Sequence, residues 1–291
     1  MKFPKTARAI TILVLCLSAL TGLGCGGGRG EAESSSTAAL GEYRSGLEED
    51  AKALVAWMAW MEKELKRGRT TAAQSRYAAA RVPFGHLKPF LIGFPNLNVR
   101  LDGQWDERPE KQLTGFHEIE RLLWTDHPMK MRLAAVKKLS LDAKRLQDEV
   151  KTSELEPDGI ARRINEVLSG AVLLALAGDE EPVAHIDMVD LSADIEGVEA
   201  AFKAIEPLLL ERRPELANQI RGRFEHFYRE IAPLGIPARE PEQPRPIAPG
   251  VSFVVYTEDR RSDLQKLQLV LDELNKPFSE VPAALTEPPT D

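Results

Sequence analysis

The sequence predicts an all-α protein of antiparallel helical bundles. Apolar residues recur at spacings of three and four over long stretches, the pattern of amphipathic helices. The Gly- and Pro-containing breaks between most of these stretches are short, as in bundles whose neighbours run antiparallel. Strand-like runs are scarce: FVVY at Phe253–Tyr256 is the one candidate, and it is short for a strand that must stand without partners.

The first residues read as a targeting segment. Lys2, Lys5 and Arg8 form a basic start, and Ala9–Leu23 is an apolar run of signal-peptide length. TGLGC follows, and Cys25 stands where a bacterial lipoprotein carries its lipidated Cys. Position −3 is Gly22, where such signals usually have Leu, so ordinary cleavage nearby is the alternative. The only other Cys is Cys16, inside the apolar run. Residues 1–25 are therefore read as signal peptide. After its removal no thiol pair remains for a disulfide or a Cys-based metal site. GGGRGEAESSST, residues 26–37, is Gly- and Ser-rich and reads as a flexible tether. Residues 38–285 form the domain, and no later stretch is long and apolar enough to span a bilayer.

Leu40, Tyr43, Leu47, Ala51, Leu54, Met58, Met61 and Leu65 mark the apolar stripe of a first long helix that Gly68 stops. A second helix starts near Thr70 and is expected to break at Pro83. Pro89, Pro95 and the polar residues of 96–110 read as an irregular loop. Helix resumes at Gly115, breaks near Pro128, and runs again from about Met129 to Leu155. After the EPDG turn a helix covers about Ile160–Ala177. Its apolar end, AVLLALA, reads as buried core rather than membrane span. GDEEPVAHIDMVD leads into a helix at about Leu191–Leu210, and another covers about Pro214–Ile231. A Pro-rich stretch, residues 237–249, separates these from a last helix at about Thr257–Leu274.

The net charge of −7 excludes an ordinary nucleic-acid binder, which shows a basic face. It leaves carboxylates available as ligands for hard cations. LTGFHEIERLLW, Leu113–Trp124, holds one of only five His. His117 and Glu120 lie at i and i+3, one turn apart on one helix face. That is the first half of a metal site, or an ordinary polar pair. It is not the zincin pattern, which needs two His on adjacent turns. Asp179, Glu180, Glu181, His185, Asp187 and Asp190 form a second polar cluster, and Asp102, Asp106 and Glu107 a third. Each is the composition of an ordinary solvated loop, with oxygen ligands for a cation as the alternative. No Gly-x-Ser-x-Gly, catalytic thiol or phosphate-binding Gly loop occurs.

Four stretches, in order, carry a resemblance: RYAAARVPFGHLKPF (Arg76–Phe90), LTGFHEIERLLW, GDEEPVAHIDMVDLSADIEGVEAAF (Gly178–Phe202) and FVVYTEDRRSDLQKLQLVLDELNKPFSEV (Phe253–Val281). Together they resemble the imelysin-like domain of the EfeO/EfeM periplasmic iron-uptake proteins, with LTGFHEIERLLW similar to that family's Gly-x-His-x-x-Glu motif. The resemblance implies two related bundle halves with a cleft between them. It implies a lipid-anchored periplasmic or cell-surface protein that captures iron for a membrane iron permease. As metal ligands it implies His117, Glu120, Asp102, Asp187 and Asp190. Nitrogen and carboxylate donors suit iron without excluding zinc, copper or manganese.

One departure stands out. Where the family has Glu-x-Ile-Glu-Pro, with both Glu proposed as ligands, this chain has Gly85 and Lys88. A protonated Lys donates only and cannot ligate a metal. His86 sits one position off and is expected to point elsewhere. A metal-independent module for a polysaccharide or protein partner is therefore a second reading, with Arg76, Arg81, Lys88 and Arg100 as its candidate residues. A metallopeptidase is a third, weaker one, because no second motif supplies a general base.

Overall fold

The computed structural model describes residues 27–103, 113–177, 184, 186–231 and 261–288. Every regular element among them is a helix: α1 (Gly27–Lys66), α2 (Thr70–Leu91), α3 (Pro95–Asp102), α4 (Gly115–Trp124), α5 (Met129–Thr152), α6 (Pro157–Ala177), α7 (Asp187–Arg212), α8 (Pro214–Ile231), α9 (Arg261–Phe278) and the short α10 (Val281–Ala284). Cys25, the strand candidate at 253–256 and the Pro-rich stretch lie outside the described residues. No helix among the described residues is long and apolar enough to cross a membrane.

The apolar stripe of α1 is the core seam. Leu47, Ala51, Leu54, Met58, Met61 and Leu65 are all buried, one or two per turn on one face. They pack on α2, α5 and α7. Val136, Leu139, Leu146 and Val150 of α5 are buried as well. The helices fall into two groups. α1, α2 and α5, with the short α3 and α4, make one; α6, α7, α8 and α9 make the other. Helices α2 and α7 join them, and this seam is a close one. A Cβ on Gly85 would sit 2.6 Å from the Ala193 Cβ, and a Cβ on Gly197 would sit 2.8 Å from the His86 Cα. The two glycines let the backbones approach within a distance that any side chain would prop open. Arg81 then faces Asp190, and His86 faces Glu196, so the two helices run in the same direction across the seam.

Three expectations need correction. The chain does not break at Pro83: α2 continues through Pro83 and Pro89 to Leu91. Each Pro removes a helix hydrogen bond and crowds the previous turn. Burial of Phe84, Leu87, Phe90 and Leu91 between neighbouring helices outweighs that local cost. Residues 95–102 are not irregular loop but α3, with Pro95 at its start, where a missing N–H costs nothing. The first helix begins at Gly27, inside the segment read as tether. Glu31, Ala32, Glu33, Ala38 and Ala39 are strong helix formers, and they extend α1 backward through the Gly and Ser.

Candidate functional site

Arg81 on α2 is the hub of a buried polar cluster on the seam. Its side chain is fully buried. Nε donates to both carboxylate oxygens of Asp190 at 2.9 Å, and Nη2 lies 2.7 Å from Asp190 Oδ2. Nη1 donates to Asp102 Oδ1 at 2.6 Å. The guanidinium also lies 5.2 Å from the Phe84 ring centre and 5.0 Å from that of Phe116, at cation–π range.

Asp102 is the last residue of α3, and His117 lies in the first turn of α4. Gly115 brings them together. Its φ of 62° lies in the left-handed region, and a Cβ there would run into the Leu101 carbonyl. Only glycine turns the chain this sharply against the end of α3. The Gly of Gly-x-His-x-x-Glu is thus explained by geometry. Gly115→Ala is expected to cost on the order of 2 kcal/mol through backbone strain and the displaced α3 end. Urea unfolding beside the parent chain measures it, and an unchanged midpoint would count against the close contact.

His117 is buried, and its Nε2 lies 3.4 Å from Asp102 Oδ1 with no hydrogen-bond partner among the described residues. That separation is long for an N–H···O bond. It is the spacing shown by two ligands each about 2.1 Å from one ion at a roughly tetrahedral angle. His117 Nδ1 faces the other way, 3.8 Å from Glu120 Oε2. Glu120 Oε1 accepts the backbone N–H of Ala184 at 2.7 Å. Glu120 therefore stands on the far ring nitrogen, where carboxylates orient metal-binding imidazoles, and not beside Nε2 as a co-ligand.

Burial works against the charged form of both His117 and Asp102. Opposite charges overcome it in each: Asp102 and Glu120 hold the imidazole's pKa above its ordinary value, and Arg81 and His117 hold the Asp102 carboxyl below its own.

Four of the five ligand candidates, His117, Glu120, Asp102 and Asp190, thus meet in one cluster. Asp187 is the first residue of α7; its side chain, like Asp179–Glu181, His185, Asp106 and Glu107, lies outside the described residues. Among the described residues, no three His, Asp or Glu side chains are already arranged to hold a metal ion. Within the cluster, the Arg81 fork is spread over Asp190 and Asp102. The four basic candidates do not line a common basic cleft. Lys88 pairs with Asp194 at 2.7 Å, Arg100 binds buried Asp142, and Arg76 lies over the Trp57 and Trp60 rings. A Glu at position 85 would have no room: besides Ala193, its Cβ would meet Asp194 Oδ1 at 2.9 Å.

His86 does point elsewhere, and what it meets was not legible in sequence. Its Nδ1 is 3.1 Å from Asp50 on α1, and its Nε2 is 3.1 Å from Glu196 on α7. The three line a groove of about 200 Å³ with Glu42, Tyr43 and Lys203 among its walls. Burial pushes the imidazole's pKa down, but the two carboxylates outweigh it and raise it to about 9. The charged ring therefore clasps three helices. With a folded-state pKa above the ordinary 6.5, the stabilisation is full below about pH 6.5 and lost as pH rises through about 9. The loss is on the order of 3 kcal/mol. Unfolding midpoints measured from pH 6 to 10 should fall for the parent chain and stay flatter for His86→Gln; parallel profiles would sink the clasp.

Residues 39–278 match the imelysin family. The chain belongs to that family. Its relatives include the "Iron uptake system component EfeM" of Bacillus subtilis (strain 168), 28% identical over 161 residues, which are 55% of this chain and 42% of that protein. An "Efem/EfeO family lipoprotein" of Staphylococcus aureus (strain MSSA476) is 24% identical over 191 residues, 64% of this chain and 63% of that one. The chain therefore matches less than two thirds of the length of either relative. Among the described residues this imelysin-family chain is all-helical, and its Gly115-x-His117-x-x-Glu120 segment sits at the buried seam.

Proposed function

We propose that this imelysin-family chain is a non-enzymatic, lipid-anchored protein of the bacterial cell envelope that binds iron and passes it to a membrane permease. The names of its relatives support the iron-uptake role and the lipoprotein anchor, with Cys25 as the lipidation site. The carrying observation is His117 Nε2: buried, without a hydrogen-bond partner among the described residues, and 3.4 Å from a carboxylate oxygen. A buried polar atom left this way is costly unless something occupies it. His117 and Asp102 are the inner ligands in this reading. Glu120 orients the ring, Asp187 supplies a further oxygen, and Asp190 is held one step out by Arg81. A nitrogen and carboxylates suit Fe(II) or a similar divalent ion.

Turnover is not part of this reading, although the family carries a peptidase label. The motif supplies one His where helix-borne peptidase sites use two, and His117 and Glu120 are buried away from any protein substrate. The test is an anaerobic Fe(II) titration of the full chain in detergent. One saturable equivalent supports the proposal. A folded chain that binds none overturns it. That second result would favour the metal-independent module, whose supporting observation is that Arg81 already neutralises two carboxylates.

A further inference from the structure

We infer that Arg81 is a built-in rival for the metal: its guanidinium competes for Asp102, holds cation affinity down, and so makes the site one that can release its cargo. The inference rests on the iron-binding reading and adds a regulating residue to it.

Two contacts set up the competition. Asp102 Oδ1 lies 3.4 Å from His117 Nε2, and the same oxygen accepts from Arg81 Nη1 at 2.6 Å. An ion bridging His117 and Asp102 must therefore share or take an oxygen that a fixed positive charge already holds. Arg81 cannot simply swing into solvent. Its other nitrogens are forked onto Asp190, and its plane lies against Phe84 and Phe116 in a fully buried setting. Water does not screen the repulsion there as it would at the surface. Arg rather than Lys suits the role, because the planar fork grips Asp190 with one edge while a separate N–H reaches Asp102. Lys88 adds a weaker positive influence on Asp102, but its ammonium is committed to Asp194.

The charge, not the shape, of Arg81 then sets affinity. Three variants separate the two. Arg81→Met with Asp190→Asn removes both partners of the fork at once, which leaves no uncompensated charge at Asp190. Arg81→Gln removes the charge but keeps an amide donor for Asp190. Arg81→Lys keeps the charge and loses the fork. Anaerobic Fe(II) titrations of the full chain in detergent, with metal-free melting curves alongside, give the readout. The double variant and Arg81→Gln are expected to bind roughly tenfold tighter or more than the parent chain. Arg81→Lys is expected to stay near the parent affinity although it melts lower.

Equal or weaker binding by both neutral variants, with binding still lost in His117→Ala, would overturn the rivalry and leave the iron site standing. Weakening in step with melting temperature across all three would overturn it too, because that is what a purely structural Arg81 produces. Absence of binding in the parent and in every folded variant would overturn the iron reading and this inference together.

Discussion

His117→Ala is expected to lower Fe(II) affinity by at least about 100-fold, beyond the 10- to 100-fold that loss of a partner outside the ligand set brings. The reason is local. Nε2 is the nitrogen that the described cluster offers to a metal, and it faces Asp102 without another hydrogen-bond partner among the described residues. A carboxylate-only remnant would still be held by Arg81. Glu120→Gln should behave differently. The amide still reaches the Ala184 N–H through its oxygen, but it no longer holds the ring's far nitrogen as a carboxylate does. A loss of roughly tenfold is expected there. Titration calorimetry on both variants and the parent gives the comparison. If Glu120→Gln abolished binding while His117→Ala did not, the roles assigned to the two side chains would be reversed.

Arg81→Met is expected to carry the largest stability cost in the chain, about 3–5 kcal/mol. The substitution keeps an apolar body against Phe84 and Phe116 but removes the cation between two carboxylates that are themselves nearly or fully out of water. Both Asp102 and Asp190 then lose a strong compensating charge, and Asp102, whose carboxyl Arg81 helps hold below its ordinary pKa, becomes easier to protonate. For a chain of this size the melting temperature should drop by on the order of 10 °C. Adding Asp190→Asn should restore most of it, because a pair replaced on both sides costs far less than a pair broken on one. Differential scanning calorimetry of the single and double variants, without metal, decides the point. Full additivity of the two losses would show that the fork contributes nothing.

The two effects oppose each other in one residue. On the proposed reading, Arg81 stabilises the metal-free protein and would weaken the metal-bound one, which is the arrangement a carrier would need to fold without cargo and then surrender it. The same logic accounts for Lys88. At position 88 the ammonium pairs with Asp194, which ties α2 to α7 and leaves it a weaker positive influence on Asp102 than Arg81.

How much was legible beforehand differs from element to element. The stripe Leu47, Ala51, Leu54, Met58, Met61, Leu65 was readable as a helix face, and each residue is buried as the spacing requires. His117 and Glu120 were readable as neighbours because a helix puts i and i+3 together whatever surrounds it. They do share the cluster, with Glu120 on the side of the imidazole away from Asp102. The continuation of α2 through Pro83 was not readable, since local propensity argues for a break and only the packing of Phe84, Leu87 and Phe90 reverses it. Asp50 and Glu196, 36 and 110 residues from His86, left no local trace of their meeting.

Local pattern was enough for the helical class, the long apolar seam of α1 and the pairing of His117 with Glu120. These follow from periodicity and from contacts within one turn, which the chain carries wherever it goes. It took the packing of distant helices to make Arg81 bridge Asp102 and Asp190, Gly115 press His117 against the end of α3, and Gly85 and Gly197 let α2 and α7 touch. Those depend on which backbones approach each other, from 21 residues apart for Arg81 and Asp102 to 109 for Arg81 and Asp190, and neither helical spacing nor propensity carries that information.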